Sequence, residues 1–145
     1  MATTSFPNTS DSGQSPHFLT LTSERKNIGL VEPFLGSLSE CQLLDETRWY
    51  NILVAVTEAV NNAIIHGNKQ NPEKQVTLSV AKNGDDLIIS VLDEGAGFDI
   101  ESLRDPREPE NLLRDGGRGV FLIHSLTKSY NYMKTPTGSL VVMKF

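Results

Sequence analysis

Two short segments that alternate apolar and polar residues flank Asn83-Gly84, and this pattern restricts the fold more than any other feature of the chain. An Asn-Gly pair between alternating segments is the strongest local signal for a two-residue hairpin turn. We therefore predict antiparallel strands over Gln75 to Lys82 and over Asp85 to Asp93. A two-residue loop at Asn-Gly implies that three apolar pairs share one face: Val80 with Leu87, Leu78 with Ile89, and Val76 with Val91. That face requires a covering layer.

A long helix is predicted from Glu46 to about His66, with Asp45 as its N-cap and Gly67 as its stop. Apolar residues recur along it at helical spacing: Trp49, Leu53, Val56, Val60 and Ile64. Val54 and Ile65 fall on the opposite side, so the helix is apolar nearly all round. Such a helix is normally covered on more than one face.

The remaining predicted elements lie before and after this helix and hairpin. They are a strand over His17 to Thr22, a helix from Ser23 or Glu24 to about Glu40, a short helix from Val120 to about Thr127, and strands over Tyr130 to Lys134 and Ser139 to Phe145. Pro33 predicts a kink in the first of these helices or a later start, because proline removes a backbone donor. Helices segregated from a mainly antiparallel sheet indicate an α+β fold, a two-layer α/β sandwich with helices on one face.

Composition divides the chain into a tail and one domain. Residues 1–16 are rich in Ser, Thr, Asn, Gly and Pro, so we predict a flexible tail followed by a single domain over residues 17–145. The formal net charge is −5, and no Lys/Arg cluster is present. Nucleic acid is therefore a disfavoured partner, because binding to its phosphates requires concentrated positive charge.

Cys41 is the only cysteine of the chain, which excludes an intramolecular disulfide and a cysteine-based metal cluster. We predict that it is a small buried hydrophobic residue. No segment approaches the roughly 20 apolar residues of a membrane span, and the N-terminus lacks a secretory pattern. The expected location is the cytoplasm, without a membrane partner.

Glu58 and Asn62 are four residues apart and therefore lie on one face of the long helix. One interpretation is a solvated polar face. The other is a covered site, because Val54 and Ile65 lie beside them and an unpartnered buried carboxylate is costly. In that case Asn62 offers a carbonyl oxygen to Mg²⁺, with phosphates and water completing the coordination. Glu58 would then be free to act as a base.

Asp93 occupies the next inward position after Leu87, Ile89 and Val91, so its carboxylate is expected to face the interior between sheet and helices. One interpretation is a carboxylate that caps the turn before Gly95. The other is an acceptor for the exocyclic amine of adenine, a donor that guanine lacks at that position. The second interpretation predicts a preference for ATP over GTP.

Two glycine clusters bound the irregular segment from Glu94 to Arg118, whose length is typical of a lid or binding loop. The first contains Gly95 and Gly97, which permit close approach of the backbone to a ligand. The second contains Gly116, Gly117 and Gly119 directly before a helix, where free N–H groups favour a phosphate. The alternative for this second cluster is a flexible hinge. Neither cluster has the spacing of a P-loop or a dinucleotide fold.

Three ordered motifs complete a recognisable pattern: Glu-Ala-Val-Asn-Asn-Ala-Ile-Ile-His-Gly at 58–67, Asp-Glu-Gly-Ala-Gly-Phe-Asp at 93–99, and Gly-Gly-Arg-Gly-Val-Phe-Leu-Ile at 116–123. The chain resembles the gyrase/Hsp90/histidine-kinase/MutL (GHKL) ATPase superfamily, specifically its anti-sigma-factor serine kinase branch, from about His17 to Phe145. The resemblance implies the Bergerat-type ATPase fold of that superfamily.

The resemblance also implies roles for individual residues. These are Glu58 as the catalytic base, Asn62 as the magnesium ligand, Asp93 as the adenine-binding acid, and Gly95, Gly97, Gly117 and Gly119 as nucleotide-loop glycines. Members of this branch phosphorylate a serine of a STAS-fold anti-anti-sigma protein, bind a sigma factor when that antagonist is absent, and are often homodimers. ATP and Mg²⁺ are the implied cofactors.

One departure from the pattern concerns the arginine that some relatives place immediately before the second glycine cluster to contact the terminal phosphate. Here the neighbourhood reads Leu113, Arg114, Asp115, Gly116, so Arg114 and Arg118 are both candidates. Two alternatives to an active kinase therefore stay open. The first is a nucleotide-dependent, non-catalytic module that sequesters a regulatory partner. The second, ranked lower, is a detached catalytic domain of a sensor histidine kinase, since residues 1–16 contain no histidine or helical pattern.

Overall fold

The computed structural model describes residues 15–95 and 117–145. Its strands are β1 His17–Thr22, β2 Gln75–Asn83, β3 Asp86–Asp93, β4 Ser129–Thr135 and β5 Gly138–Lys144. Its α-helices are α1 Val31–Gly36, α2 Ser39–Gln42, α3 Glu46–Asn62 and α4 Gly117–Leu126, with a 3₁₀ helix at Arg25–Leu30 and a π-helical turn at Ala63–Gly67. The predicted tail and most of the predicted lid lie outside the described residues.

The five strands form one antiparallel sheet in the order β1-β2-β3-β5-β4, which confirms the α+β fold with a mainly antiparallel sheet. Strand β3 is central, flanked by β2 and β5. The core joins one face of the sheet to α1 and α3, and its fully buried members include Leu78, Ile89, Val56 and Val60. The central strand therefore ends, at Asp93, beside the helical layer.

The β2–β3 hairpin forms, but the predicted register is wrong by two residues. Val80 pairs with Ile89 and Leu78 with Val91, because the loop consists of Gly84 and Asp85 and not of Asn83 and Gly84. Gly84 has φ +61°, whereas Asp85 has no positive φ, and this combination matches a type II′ turn with glycine first. An even shift keeps every side chain on its predicted face, so the prediction of one shared apolar face is confirmed.

Helix α3 begins as predicted, since the Arg48 amide donates a 2.7 Å hydrogen bond to Asp45 Oδ1. Its α-helical part ends at Asn62, earlier than predicted, and the chain continues through the π-helical turn to Gly67. Single π turns are uncommon and occur frequently at functional sites. The apolar character of both sides of α3 is explained by α4, which packs against α3 in addition to the core.

The single helix predicted between Ser23 and Glu40 is wrong, because this segment consists of the 3₁₀ helix, α1 and α2. Pro33 lies in the first turn of α1, where backbone N–H groups lack an intrahelical acceptor, which fits the predicted later start. Helix α4 begins at Gly117, three positions before the predicted Val120. Within the described residues, none of the helices has both the length and the apolar character that crossing a membrane requires.

Candidate functional site

A cavity lies between α3, α4 and the inner face of the sheet. Its polar lining comes from Asn62 of α3 and Asp93 of β3, and its apolar walls include Ala59, Val91, Ile123 and Tyr130. The structure therefore brings together two residues that the sequence singled out from elements 31 positions apart. The cavity has a volume of about 10 Å³, which is room for about one water molecule, so it marks where the two polar side chains converge and is too small for a nucleotide without rearrangement.

The Asp93 side chain points into the interior, as predicted, with 5% of the residue exposed. Its Oδ1 accepts a 2.9 Å hydrogen bond from the Gly95 amide, so the carboxylate also caps the turn. Burial raises the pKa of Asp93, and hydrogen bonds from the backbone amides of Gly95 and Ser139 oppose that rise. A carboxylate has about four acceptor positions, so capacity for a ligand amine remains.

Three glycines allow close packing of the backbone around Asp93. A β-carbon on Gly67 would overlap the Asp93 carboxylate, and one on Gly138 would overlap the Asp93 carbonyl. A β-carbon on Gly95 would overlap the Gly67 carbonyl. Gly95 thus allows close packing of two backbone segments, while its predicted approach to a ligand stays a prediction, and the packing roles of Gly67 and Gly138 were not predicted.

Glu58, Asn62 and Gly119 meet where the start of α4 crosses α3. A β-carbon on Gly119 would stand 2.8 Å from Glu58 Oε2 and 3.1 Å from Asn62 Nδ2. Asn62 is buried and Glu58 is half-buried, so the interpretation as a solvated polar face is wrong. The first turn of α4 supplies the cover, and its free backbone N–H groups begin beside the two α3 side chains.

The other predicted site residues are only partly described. Gly117 is the first residue of α4 and Gly119 lies in the same turn, so the prediction that this cluster precedes the helix is wrong for both residues. Arg118 follows in the same turn, with its side chain outside the described part of the chain. Gly97 and the alternative arginine, Arg114, lie in the segment 96–116 and are likewise outside the described residues.

If the site binds Mg²⁺, the protein ligand is an amide oxygen and not a cluster of carboxylates. Within residues 15–95 and 117–145, no group of three or more His, Cys, Asp or Glu side chains is arranged to hold a metal ion. The Asn62 amide forms no hydrogen bond with another described side chain or backbone group, although 94% of the residue is buried. An amide oxygen of this kind fits a hard cation whose remaining ligands are phosphate and water.

Tyr130 is a cavity residue that the sequence interpretation missed. It lies on β4 and pairs with Met143 of the neighbouring strand. Its ring packs against His124 of α4 with centroids 4.5 Å apart, and burial raises the pKa of its hydroxyl to about 12. The alternation of Tyr130 and Tyr132 along β4 is the signal that would have indicated an inward-facing aromatic wall.

Comparisons with known proteins agree on one family. A family model described as the histidine kinase-like ATPase domain matches residues 21–145. The anti-sigma F factor of Clostridium perfringens is 34% identical over 99 residues, which cover 65% of this chain and 69% of that protein. The serine-protein kinase RsbW of Oceanobacillus iheyensis is 34% identical over 82 residues, or 52% of each chain. The RsbW of Staphylococcus epidermidis is 33% identical over 99 residues, which cover 63% of this chain and 62% of that protein.

The chain thus spans between half and two thirds of the length of these RsbW relatives. A solved structure, that of the RsbU and RsbW domains of Rv1364c from Mycobacterium tuberculosis, aligns with a TM-score of 0.64 and 18% identity. The alignment covers 90% of this chain and 31% of the mycobacterial chain. This likeness supports the fold, an α+β sandwich shared with that protein.

Proposed function

Because the chain belongs to the histidine kinase-like ATPase domain family, in the branch of the anti-sigma-factor serine kinases, we propose that it is an ATP-dependent protein serine kinase. The observation that carries this proposal is that Asn62, which lines a cavity together with Asp93, also lies beside Glu58 and the backbone of Gly119. Four residues from three separated motifs converge there, as a nucleotide site with an adjacent base requires.

Adenine occupies the inner part of the site in this proposal. The buried Asp93 carboxylate accepts a hydrogen bond from the exocyclic amine of the base, while Gly95 holds the carboxylate from the other side. Guanine carries an oxygen at the corresponding position and would place an acceptor against an acceptor. Ile123 and Tyr130 supply apolar surface beside Asp93, and the Asp93 acceptor gives the proposed preference for ATP over GTP.

The phosphates extend toward the start of α4. Backbone N–H groups at Gly117 and Gly119, together with the helix dipole, favour negative charge there. Asn62 would hold Mg²⁺ by its amide oxygen, and Arg118 is the proposed cationic contact to the phosphates. Bound Mg²⁺ would neutralise phosphate charge. Gly97 is proposed as a further backbone contact from the loop after β3.

Glu58 is the proposed base. A substrate serine attacks the γ-phosphorus, its hydroxyl proton passes to the Glu58 carboxylate, and the bond between that phosphorus and the bridging oxygen of ADP breaks. The products are phosphoserine and ADP. Because the relatives carry the names serine-protein kinase and anti-sigma F factor, we assign the serine to a STAS-fold anti-anti-sigma protein and the alternating partner to a sigma factor. Transcription regulation of this kind takes place in the cytoplasm, and the proposed form of the kinase is a homodimer.

The test is transfer of labelled phosphate from ATP to a STAS-fold protein, with ATP binding measured in parallel by calorimetry. The wild type is expected to transfer label with ATP and much less with GTP. Glu58→Gln is expected to bind ATP with nearly unchanged affinity and to lose at least about 100-fold in transfer rate, because general bases contribute about that much. Asp93→Asn is expected to lose ATP binding itself.

Two results would overturn the kinase proposal, and a third would overturn only the role of Glu58. Wild-type protein that binds ATP without transferring label, and that captures a sigma factor only with nucleotide present, would identify a non-catalytic sequestering module. Equal transfer by Glu58→Gln and wild type would remove Glu58 from the role of base. Label that appears on the chain itself, stable to alkali and labile to acid, would indicate a histidine kinase.

A further inference from the structure

Asn68 follows the π-helical turn at the end of α3, and its side chain is hydrogen-bonded to three separate parts of the chain. Its Nδ2 donates to Ser23 Oγ at 2.8 Å and to the Gln75 carbonyl at 3.0 Å. Its Oδ1 accepts from the Glu94 amide at 2.8 Å. Only 2% of Asn68 is exposed, so these bonds are shielded from competing water.

The partners fix the orientation of this amide. A backbone carbonyl only accepts and a backbone N–H only donates, so Nδ2 faces Gln75 and Oδ1 faces Glu94. Asn68 is itself anchored to the π-helical turn, since its backbone N–H donates to the Ala63 carbonyl at 2.8 Å. The side chain is therefore a rigid link between the end of the helix and the residue that follows Asp93.

The side chain of Glu94 is also hydrogen-bonded, to the first residue of β2. Its Oε1 accepts a 2.7 Å hydrogen bond from the Gln75 amide, while the Gln75 carbonyl accepts from Asn68. Ser23, which is completely buried, donates its hydroxyl to the Lys74 carbonyl at 2.8 Å. These contacts tie the first residue of β2 and the residue after β1 to the end of β3.

Asn68 fixes the peptide that joins Asp93 to Glu94, because the N–H of that peptide is its hydrogen-bond donor. The preceding residue, Gly67, packs directly against the Asp93 carboxylate. The helix end and the Asp93 turn are thus aligned by one buried amide. No motif of the sequence indicated this, since Asn68 lies just outside the motif at 58–67.

We infer that Asn68 is a positioning residue for nucleotide recognition, which holds the Asp93 turn in the orientation that accepts adenine before the nucleotide binds. This inference depends on the proposed function, because it assigns adenine recognition to Asp93. A carboxylate acceptor held in one orientation discriminates strongly between adenine and guanine. A carboxylate that reorients freely discriminates less, because it can turn away from the wrong base. Loss of Asn68 therefore weakens ATP binding and lowers the ratio of ATP affinity to GTP affinity.

The experiment compares Asn68→Asp with Asn71→Asp in calorimetric titrations with ATP and GTP, without a protein substrate. Asn68→Asp keeps the acceptor for Glu94 but replaces both Nδ2 hydrogens by lone pairs that face Ser23 and the Gln75 carbonyl. We expect about a tenfold loss of ATP affinity and a lower ATP-to-GTP ratio. Asn71 is the matched control, because its side chain only accepts an exposed bond from the Glu73 amide. Wild-type affinity and selectivity are expected for Asn71→Asp.

Circular dichroism at the titration temperature establishes that each variant is folded. Ser23→Ala provides a second test if Asn68→Asp does not fold, since it removes one acceptor of Nδ2 and the hydroxyl's bond to the Lys74 carbonyl, leaves the bonds of Asn68 to Gln75 and Glu94, and is expected to weaken ATP binding about threefold. Asp93→Asn separates the two proposals. If Asp93→Asn loses ATP binding while Asn68→Asp and Ser23→Ala keep wild-type affinity and selectivity, the positioning role is wrong and the nucleotide site stands. Wild-type ATP binding by Asp93→Asn would overturn both.

Discussion

The Glu58 carboxylate lies against the side of Gly119 where other residues carry a β-carbon. A β-carbon on Gly119 would stand 2.8 Å from Glu58 Oε2. The same carbon would stand 3.1 Å from Asn62 Nδ2. Gly119 has no positive φ, so the requirement for glycine is steric and not conformational. A β-carbon at position 119 would therefore have to displace the Glu58 carboxylate, which is the end of a flexible side chain, or the start of α4.

Gly119→Ala is expected to displace the Glu58 carboxylate or the start of α4, and the net loss in the free energy of unfolding is expected to be about 1 kcal/mol, because alanine favours the helix. ATP affinity is expected to fall in parallel, because the N–H groups of α4 move away from the phosphates. Urea denaturation and ATP calorimetry measure the two effects. Gly29→Ala is the matched control, since nothing lies within 4 Å of its added carbon. A Gly119→Ala protein indistinguishable from Gly29→Ala would contradict the steric argument.

Gly95→Ala is expected to be more disruptive, because the added carbon would meet backbone and not a flexible side chain. The Gly67 carbonyl occupies that space, so either the turn after β3 or the end of the π-helical turn has to move. We expect a loss of about 3 kcal/mol in the free energy of unfolding and no measurable ATP binding. Gly36→Ala is a suitable control, since its nearest neighbour is Trp49 Cη2 at an ordinary 3.9 Å. Normal ATP binding by Gly95→Ala would show that the turn tolerates displacement.

The sequence predicted well wherever a local periodicity decides the structure. Alternation in β3 places Asp93 inside even though the predicted hairpin register is wrong, because a slip of two residues preserves the face of each side chain. The slip itself was not predictable from Asn83-Gly84, since glycine serves either as the second residue of a type I′ turn or as the first of type II′. The pairing of Asn83 with Asp86, and the lack of a positive φ at Asn83 and Asp85, distinguish them.

Contacts between elements that are distant in sequence could not be predicted from local sequence patterns. Gly67 has the spacing of a helix stop, yet its structural importance lies in its contact with Asp93, 26 positions later in the chain. Asn68 likewise has no periodic partner, and its bonds to Ser23 and Glu94 exist only in the folded sheet. The resemblance of the motifs indicated which residues form the site. How those residues pack depends on contacts between backbone segments that are distant in sequence, and these contacts exist only in the folded protein.

Asp93→Asn is expected to change the pH dependence of stability. Burial raises the pKa of Asp93 in the folded protein, so the unfolded chain loses this proton more readily. The wild type therefore loses stability as pH rises from the unfolded pKa, about 4, through the higher folded pKa, and the asparagine variant lacks this loss. The variant is expected to gain stability relative to wild type between about pH 4 and pH 7. Urea denaturation of both proteins across that range is the measurement, and parallel curves would contradict the expectation.

Cys41 is expected to resist thiol reagents until α2 opens. It is 4% exposed, and burial, with a smaller contribution from the Glu40 charge, raises the pKa of its thiol to about 11. Because the thiolate is the reactive form, labelling by Ellman's reagent at pH 8 is expected to be at least about 100-fold slower in the native protein than in urea. Ser39→Cys in a Cys41→Ser background is the control, since Ser39 is exposed on the same helix and should label at the rate of a free thiol. Equal rates at the two positions would mean that α2 opens freely in the native state.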